Sequence, residues 1–255
     1  MLESFTGVLV RDAGAIALRR FRSSPTRTKS DGTVVTDADR EIEDYIRQAV
    51  ATEFPNSTFI GEEGEIEEGS GLTWFVDPID GTSMYSVGGP TWSVAVTVFD
   101  GDTPLCSIVH CPLLGETFHT SGRLLLLNGE AVRSRPFESC RETVLYAPSN
   151  FHTNYLISRY AGKTRNLGSG CIHQAYVFSG RGDAAILRGH AWDIASGLAF
   201  ISVAGGVALD LSSKPFTVAD LLALGKRKTV RPVIFAPTEG AASFFRERIS
   251  YSEQA

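Results

Sequence analysis

The sequence is poor in the residues and motifs that mark several classes of protein. Its 255 residues include only four cysteines and five histidines, which form neither a Cys-x-x-Cys pair nor a His-Glu-x-x-His motif. A disulfide-rich scaffold and a common type of zinc hydrolase are therefore not indicated, and we expect reduced thiols that are buried or incidental. A Gly-x-Ser-x-Gly motif and an obvious Cys/His arrangement are missing too, so the pattern does not favour a serine or cysteine nucleophile.

Positive charge is not in surplus, and long apolar runs are missing. Lys and Arg total 24 against 29 Asp and Glu, a net charge of −5, which counts against a nucleic-acid polymer as partner. No apolar run is long enough to span a membrane. The N-terminus carries Glu3 and lacks a signal-peptide pattern, so we expect a cytoplasmic protein with no membrane partner.

The composition is that of a globular chain with a sizeable core. Hydrophobic residues make up 43% and charged residues 21%. Residues 1–145 combine a predicted helix pair with an antiparallel or mixed sheet, and residues 146–255 have a mixed α/β pattern. We expect these two parts to pack as one body. The main predicted elements are helices at 2–22, 37–53, 152–161, 170–179, 192–204 and 240–249, and strands at 58–60, 74–76, 91–99, 105–111, 116–120, 124–127, 144–147, 184–187, 207–209 and 233–236.

One acidic motif follows a short apolar strand. Residues 77–82 read DPIDGT, directly after Trp74-Phe75-Val76. Two carboxylates in so short a turn repel each other unless a cation lies between them, and oxygen ligands of this kind suit Mg²⁺. A helical turn after Gly81 would direct free N–H groups at an anion. The alternative is a surface turn with an N-capping aspartate.

Two further acidic segments are candidates for the same site. Gly61-Glu62-Glu63 follows the strand at 58–60, and neighbouring strands would bring Glu62 and Asp77 to one edge of a sheet. Asp193 begins a predicted helix, where an acid stabilises the helix macrodipole. Both segments have an ordinary alternative, a solvated loop and a helix cap respectively. They become functional only if their carboxylates face those of the DPIDGT motif.

Together these motifs resemble the inositol monophosphatase family of lithium-sensitive, Mg²⁺-dependent phosphatases. The same superfamily includes fructose-bisphosphatases and phosphoadenosine phosphatases. The resemblance covers nearly the whole chain and rests on GEE at 61–63, WFVDPIDGT at 74–82, WDIASG at 192–197 and the glycines at 205–206, with Lys29-Ser30, VTDAD at 35–39, PLLGE at 112–116 and LNG at 127–129. It implies an α/β fold, a layered α-β-α-β-α sandwich, and a homodimer.

The resemblance also implies the metal ligands. Glu62, Asp77 and the carbonyl of Ile79 would bind one Mg²⁺, and Asp77, Asp80 and Asp193 a second. Glu62 would share a third, more weakly held ion. The four carboxylates carry four formal negative charges, which two Mg²⁺ ions neutralise.

Catalytic and phosphate-binding roles follow from the same resemblance. Thr82, with Glu62, would orient and activate the attacking water, and Asp39 would lie near Thr82 and tune it. Gly81 and Thr82 would hold the phosphate through their backbone N–H groups. The other expected substrate contacts are Asp80, Ser169, Gly170, Leu187, Arg188 and Asp193, with Gly168 beside them.

The substrate is less well indicated than the chemistry. Family members that act on inositol phosphate carry a glutamate shortly before the WD motif, and Leu187 takes that position here. Arg188 would either meet a second anionic group or be a solvated surface residue, and His190 is either a ligand contact or structural. The sequence therefore predicts hydrolysis of a small sugar or polyol phosphate, with histidinol phosphate, fructose bisphosphate or phosphoadenosine phosphate as alternatives. The remaining alternative is a non-catalytic, metal-binding regulatory protein.

Overall fold

The computed structural model describes residues 1–29 and 32–252 of the chain. Ser30, part of the family-like N-terminal segment, lies outside the described residues. Within them the helices are α1 Leu2–Arg20, α2 Asp37–Glu53, α3 Thr82–Ser86, α4 Phe151–Asn154, α5 Gly170–Phe178, α6 Ala191–Ala204, α7 Val218–Leu224 and α8 Glu239–Arg246. None of these helices is both long and apolar enough to cross a membrane.

The strands form two large sheets and two small hairpin-like pairs. They are β1 Thr26–Thr28, β2 Val34–Thr36, β3 Thr58–Gly61, β4 Thr73–Asp80, β5 Ser93–Asp100, β6 Thr103–Cys111, β7 Glu116–Ser121, β8 Leu124–Leu127, β9 Glu130–Val132, β10 Val144–Tyr146, β11 Tyr155–Ile157, β12 Lys163–Arg165, β13 Ala184–Leu187, β14 Val207–Asp210, β15 Val233–Ala236 and β16 Ile249–Tyr251. The large sheets have the orders β3-β4-β5-β6-β7-β8-β9 and β12-β10-β13-β15-β14. The small pairs are β1-β2 and β11-β16.

Five layers build the molecule, and the expected α-β-α-β-α sandwich is confirmed. Helices α1 and α2 pack on one face of the seven-stranded sheet, where Trp74, Val94, Val96 and Val98 form part of their shared core. Helices α5 and α6 fill the space between the two sheets. Helix α8 covers the far face of the five-stranded sheet. Central strands such as β4, β5 and β15 are buried at consecutive positions, because each large sheet is covered on both faces.

The first two strands of the large sheet run parallel, and the rest form an antiparallel meander. Strand β3 pairs with β4 in a register that sets Gly61 opposite Val76. Strands β4 to β9 then pair with their neighbours in chain order. Because parallel strands end at the same edge, the residues after Gly61 and Val76 come together there.

Helix α2 begins and ends where the sequence predicts. The carboxylate of Asp39 accepts hydrogen bonds from the backbone N–H and the hydroxyl of Thr36, at 2.8 and 2.6 Å. The pair forms a capping box, so the start of α2 is encoded locally. A cap of this kind stabilises a helix by about 1 kcal/mol.

Two local predictions are wrong. The predicted helix at 152–161 is a single turn followed by strand β11, because residues 155–157 pair with β16 near the chain end. Strand β4 continues to Asp80 where a tight turn was predicted, with an irregular register between Asp77 and Asp80. The acidic segment 62–71 is a loop, and its backbone N–H groups at Glu63 and Gly64 donate to Glu43.

Candidate active site

The predicted site residues meet in one pocket at the carboxyl ends of β3 and β4. Its volume is about 580 Å³. The expected residues that line it are Glu62, Asp77, Ile79, Asp80, Gly81, Thr82, Gly168, Ser169, Gly170, Leu187, Arg188 and Asp193. Asp39 lies behind Thr82, as expected for a residue that acts on it.

Asp77 is the most isolated carboxylate of this pocket. Its side chain is buried, and within the described residues no hydrogen-bond partner meets its Oδ1 atom. Burial raises the pKa of Asp77 well above its ordinary value, and the charges of Glu62, Asp80 and Asp193 raise it further. A buried carboxylate oxygen without a donor is costly, so this atom is placed to bind a cation.

Asp80, in contrast, is held by a dense set of donors. Its carboxylate accepts hydrogen bonds from the Ser169 hydroxyl and from the backbone N–H groups of Gly170, at 3.0 Å, and Cys171, at 2.8 Å. The hydroxyl of Ser93 donates a further bond at 3.2 Å. Burial raises the pKa of Asp80, and the bond from Ser169 opposes that rise. Asp80 therefore joins the end of β4 to the start of α5, 90 positions further along the chain.

Glu62 lies beside Asp77 and is paired with a lysine. The Nζ atom of Lys29 lies 2.8 Å from Glu62 and 2.6 Å from Glu63. Burial raises the pKa of Glu62 to about 8, against the opposing charge of Lys29. For Lys29 itself, burial lowers the pKa, but the charge of Glu62 and the bonds to both glutamates outweigh it and leave the pKa above its ordinary range.

Thr82 connects Asp39 to the pocket. The Thr82 hydroxyl lies 3.2 Å from Asp39 Oδ1 and 2.9 Å from the carbonyl oxygen of Ile79, both of which accept from it. Burial raises the pKa of Asp39 to about 6, against the hydrogen bonds from Thr36. Gly81 precedes Thr82 with a φ of +92°, a conformation that glycine adopts without strain. The first turn of α3 starts there, with its backbone N–H groups at the pocket.

Asp193 caps helix α6 from within the same pocket. Its Oδ2 atom accepts from the backbone N–H of His190 at 2.6 Å. The His190 ring stacks on Trp192 at 4.5 Å between ring centroids, which places both rings in the pocket lining. Asp193 therefore caps α6 and also lies close enough to Asp77 for its charge to raise the pKa of that carboxyl.

The ligand atoms of Asp77, Asp80 and Cys171 lie within 4.8 Å of one another. Among the described residues, Glu62 and Asp193 line the same pocket but do not belong to this group of three. Carboxylate oxygens suit Mg²⁺, and the unpartnered Oδ1 atom of Asp77 meets the requirement for a cation ligand, so the residues fit a divalent ion. The thiol of Cys171 was not expected here, and burial raises its pKa well above the ordinary value.

Sequence reasoning missed several residues that belong to this site or support it. Glu43, Ser93, Cys171 and Lys226 carry no motif, and each enters the site through the fold. Nothing local in the sequence says which distant group is the partner of each residue.

The substrate side of the pocket differs from its acidic end. Leu187 is buried at the end of β13, and Arg188 follows it with its Nε atom donating to the carbonyl oxygen of Thr229 at 3.0 Å. Lys226 and Lys228 also line the pocket, and Lys226 donates to the carbonyl oxygen of Glu62 at 3.3 Å. No carboxylate takes the position of Leu187.

Comparisons with known proteins agree with this geometry. The model of the inositol monophosphatase family matches residues 2–239. A fructose-1,6-bisphosphatase/inositol-1-monophosphatase of Thermotoga maritima is 33% identical over 218 residues, 82% of this chain and 85% of that protein. A histidinol-phosphatase of Chlorobaculum parvum is 32% identical over 216 residues, 79% of this chain and 83% of that protein.

A solved structure gives the same result for the fold. An IMPase of Thermotoga maritima superposes with a TM-score of 0.78 and 28% identity, over 92% of this chain and 91% of that one. The match therefore includes both large sheets and the helices between them. The chain belongs to the inositol monophosphatase family of phosphatases.

Proposed function

We propose that this chain is a Mg²⁺-dependent phosphomonoesterase that hydrolyses a small sugar or polyol phosphate. The observation that carries the proposal is the meeting of Asp77, Asp80, Glu62 and Asp193 in one pocket. These carboxylates destabilise one another, since burial and mutual charge raise the pKa of Asp77. Such an arrangement is stable with divalent cations and costly without them.

The proposed ligands divide into two sets. Glu62, Asp77 and the Ile79 carbonyl would hold one Mg²⁺, and Asp77, Asp80 and Asp193 a second, with Glu62 shared by a third ion. When bound, the metal supplies positive charge for the phosphate oxygens and the departing alkoxide and makes water more acidic. The free Oδ1 atom of Asp77 supports its place in both sets.

The chain's own residues position the attacking water. The Thr82 hydroxyl, between Asp39 and the pocket, would accept a water proton while it donates to Asp39. Asp39, whose pKa is raised to about 6 by burial, is an acceptor near neutral pH. Glu62 would face the same water, held by its ion pair to Lys29.

Phosphate binding is assigned to the start of α3 and to the segment before α5. The N–H groups of Gly81 and Thr82 lie at the start of α3 and would face the phosphate oxygens. The Ser169 hydroxyl and the Gly170 N–H both donate hydrogen bonds to Asp80. They would therefore act on the substrate mainly by orienting that carboxylate. The alcohol would then lie toward Leu187 and Arg188.

Phosphate release from a panel of esters tests the proposal. The panel includes inositol 1-phosphate, fructose 1,6-bisphosphate, histidinol phosphate and phosphoadenosine phosphate, each with Mg²⁺ and with a chelator. We expect Mg²⁺-dependent release from at least one ester, loss with chelator and inhibition by Li⁺. Release that persists with excess chelator, or no release from any ester, would contradict the proposal. We also propose a homodimer, which light scattering of the purified protein measures.

A further inference from the structure

One buried amide side chain joins the starts of α5 and α6. Gln174 lies in the second turn of α5 and is fully buried. Its Nε2 atom donates to the carbonyl oxygens of Gly170, at 3.0 Å, and Asp193, at 2.6 Å. Gly170 lies in the first turn of α5 and Asp193 in the first turn of α6. A single side chain therefore connects the first turns of two helices.

Both of these turns carry or hold a proposed metal ligand. The backbone N–H of Gly170 donates to Asp80 at 3.0 Å, and Asp193 is itself a proposed ligand. The carboxylate of Asp193 accepts from the N–H of His190 at 2.6 Å, while its main-chain carbonyl accepts from Gln174. Asp80 and Asp193 belong to the same proposed Mg²⁺ set. Gln174 therefore links the supports of two carboxylates that have to converge on one ion.

The orientation of the Gln174 amide follows from its neighbours. Only the NH₂ end of an amide can face two carbonyl oxygens, because the amide oxygen is an acceptor without a hydrogen to donate. The Oε1 atom consequently faces Gly197, where an added Cβ would collide with it. Within the described residues this buried oxygen has no hydrogen-bond partner. An unpartnered buried oxygen is costly, so an apolar side chain would suit this position better if packing were its only role.

The two helices have other contacts that hold them in the core. Apolar side chains from both helices belong to the cluster between the sheets, among them Ile172, Ala175, Ile194 and Leu198. These contacts are non-directional, whereas hydrogen bonds fix the distance between particular atoms. Gln174 does not line the pocket, so it can act on the site only through the residues that it holds.

We propose that Gln174 is a positioning residue for the Mg²⁺ ligands Asp80 and Asp193. Its hydrogen bonds to Gly170 and Asp193 set the separation of the two helix starts and thereby of the two carboxylates. The inference rests on the proposed metal-dependent function and adds to it a residue that lies behind the pocket.

Gln174→Met tests the inference with an apolar side chain of similar length. The variant removes both donated hydrogen bonds and the unpartnered oxygen, and each helical carbonyl keeps the N–H four residues further along as its ordinary donor. The Tm in excess chelator should therefore stay within about 3 °C of the wild type. The affinity for Mg²⁺, measured by calorimetry and by the rise of Tm with Mg²⁺, should fall about tenfold. The Mg²⁺ concentration for half-maximal phosphate release should rise by the same factor, with kcat at saturating Mg²⁺ little changed.

Thr97→Val is the matched control for the loss of a buried hydrogen bond. The Thr97 hydroxyl is buried within the large sheet, 2.9 Å from the hydroxyl of Ser107, and it does not line the pocket. This variant should lower the Tm and leave the affinity for Mg²⁺ unchanged. Gln174→Asn is a second test, because its amide is one methylene shorter and cannot reach both carbonyls. It should also weaken Mg²⁺ binding.

The outcomes separate this inference from the proposed function. Wild-type affinity for Mg²⁺ in Gln174→Met overturns the inference and leaves the phosphatase intact, since Gln174 would then contribute to stability alone. If Gln174→Met does not fold, wild-type affinity in Gln174→Asn has the same meaning. A wild type that gains no Tm with Mg²⁺ and releases phosphate from no ester overturns the proposed function itself.

Discussion

The carboxylate of Glu43 accepts a hydrogen bond from the backbone N–H of Gly64, with 2.6 Å between N and Oε1. A second bond comes from the N–H of Glu63 at 2.7 Å, and Arg47 pairs with the same carboxylate at 2.7 Å. Glu43 is buried on α2, so one side chain connects that helix to the segment that follows β3. The position of Glu62 at the pocket depends on this connection.

Glu43→Gln should therefore lower the affinity for Mg²⁺, although Glu43 does not line the pocket. One acceptor oxygen is replaced by an amide donor that faces backbone N–H groups, at a cost of about 1–3 kcal/mol in the free energy of unfolding. We expect turnover at limiting Mg²⁺ to fall by about 10- to 100-fold, since groups that orient ligands have effects of that size. Steady-state kinetics across a Mg²⁺ titration measure this. Glu41→Gln removes a partly exposed partner of Arg20 on the same helix and should leave the Mg²⁺ titration unchanged.

Asp77→Asn should stabilise the metal-free protein and inactivate it. The substitution removes a buried charge that opposes Glu62, Asp80 and Asp193, and it leaves few hydrogen bonds to lose, since Oδ1 has no partner in the described structure. In excess chelator the Tm should rise by about 2–4 °C for each kcal/mol of repulsion removed. With Mg²⁺, the wild type should gain Tm and the variant should not, and phosphate release should fall more than about 100-fold. A variant that still gains Tm with Mg²⁺ would contradict the assignment of Asp77.

Asp80→Asn should inactivate the enzyme and also destabilise it. The lost carboxylate oxygen accepts bonds from Ser169 and Cys171, so an amide group there would face donors. The expected loss is about 1–3 kcal/mol in the free energy of unfolding, measured by urea denaturation in chelator. A stability equal to or above that of the wild type would show that these bonds contribute less than the structure indicates. The two substitutions should change the stability of the metal-free protein in opposite directions, although both residues have the same proposed role. This difference in direction is the sharper test.

Gly81→Ala should damage both stability and turnover. The φ of +92° is strained for alanine, and an added Cβ would lie 3.1 Å from the carbonyl oxygens of Thr91 and Gly168, which are backbone atoms. We expect a loss of about 2–4 kcal/mol in the free energy of unfolding and a lower kcat. Gly101→Ala is the control, since its φ is +56° with open space around the added Cβ, and it should cost only about 1–2 kcal/mol with kcat unchanged. Equal losses in the two variants would mean that the close approach at Gly81 has no cost.

His173 should make the protein less stable below about pH 6.5. Its ring is buried, its Nε2 atom accepts from the N–H of Leu167 at 2.9 Å, and burial lowers its pKa to about 4. Between the ordinary pKa of 6.5 and that value, the unfolded state binds a proton that the folded state does not. Stability from this group is therefore complete above about pH 6.5 and is lost as the pH falls to about 4, by up to ~3 kcal/mol.

Urea denaturation in chelator between pH 7.5 and about 4.5 measures this loss. We expect His173→Gln to be less stable at pH 7.5 and to lose less on acidification. The difference between the two proteins should therefore shrink as the pH falls. His152→Gln, at an exposed position, keeps His173 and should retain the wild-type slope. Parallel curves for the wild type and His173→Gln would rule out this proton linkage.

Local patterns in the sequence were enough for much of the fold. The predicted helix at 37–53 forms as α2, whose start is capped locally by Thr36 and Asp39. The strand predicted at 91–99 forms as β5, which the two cores bury on both faces. The predicted helix at 152–161 failed because its pattern resembles a helix, whereas strand β11 exists through pairing with Ile249–Tyr251. Helix α7 and the long connection between β14 and β15 were not predicted, since nothing local distinguishes a long connection from an ordinary basic loop.

By itself, the sequence determined most of the short helices and strands, and it determined which acidic side chains lie beside the ends of those elements. It could do so because capping, periodicity and turn preferences act over a few residues. Only the tertiary structure decided that Asp193 faces Asp77, that Asp80 is held by the start of α5 and that Lys226 reaches the segment of Glu62. These contacts join positions from about 90 to more than 160 residues apart, and burial of both sheets against α5 and α6 is what brings them together.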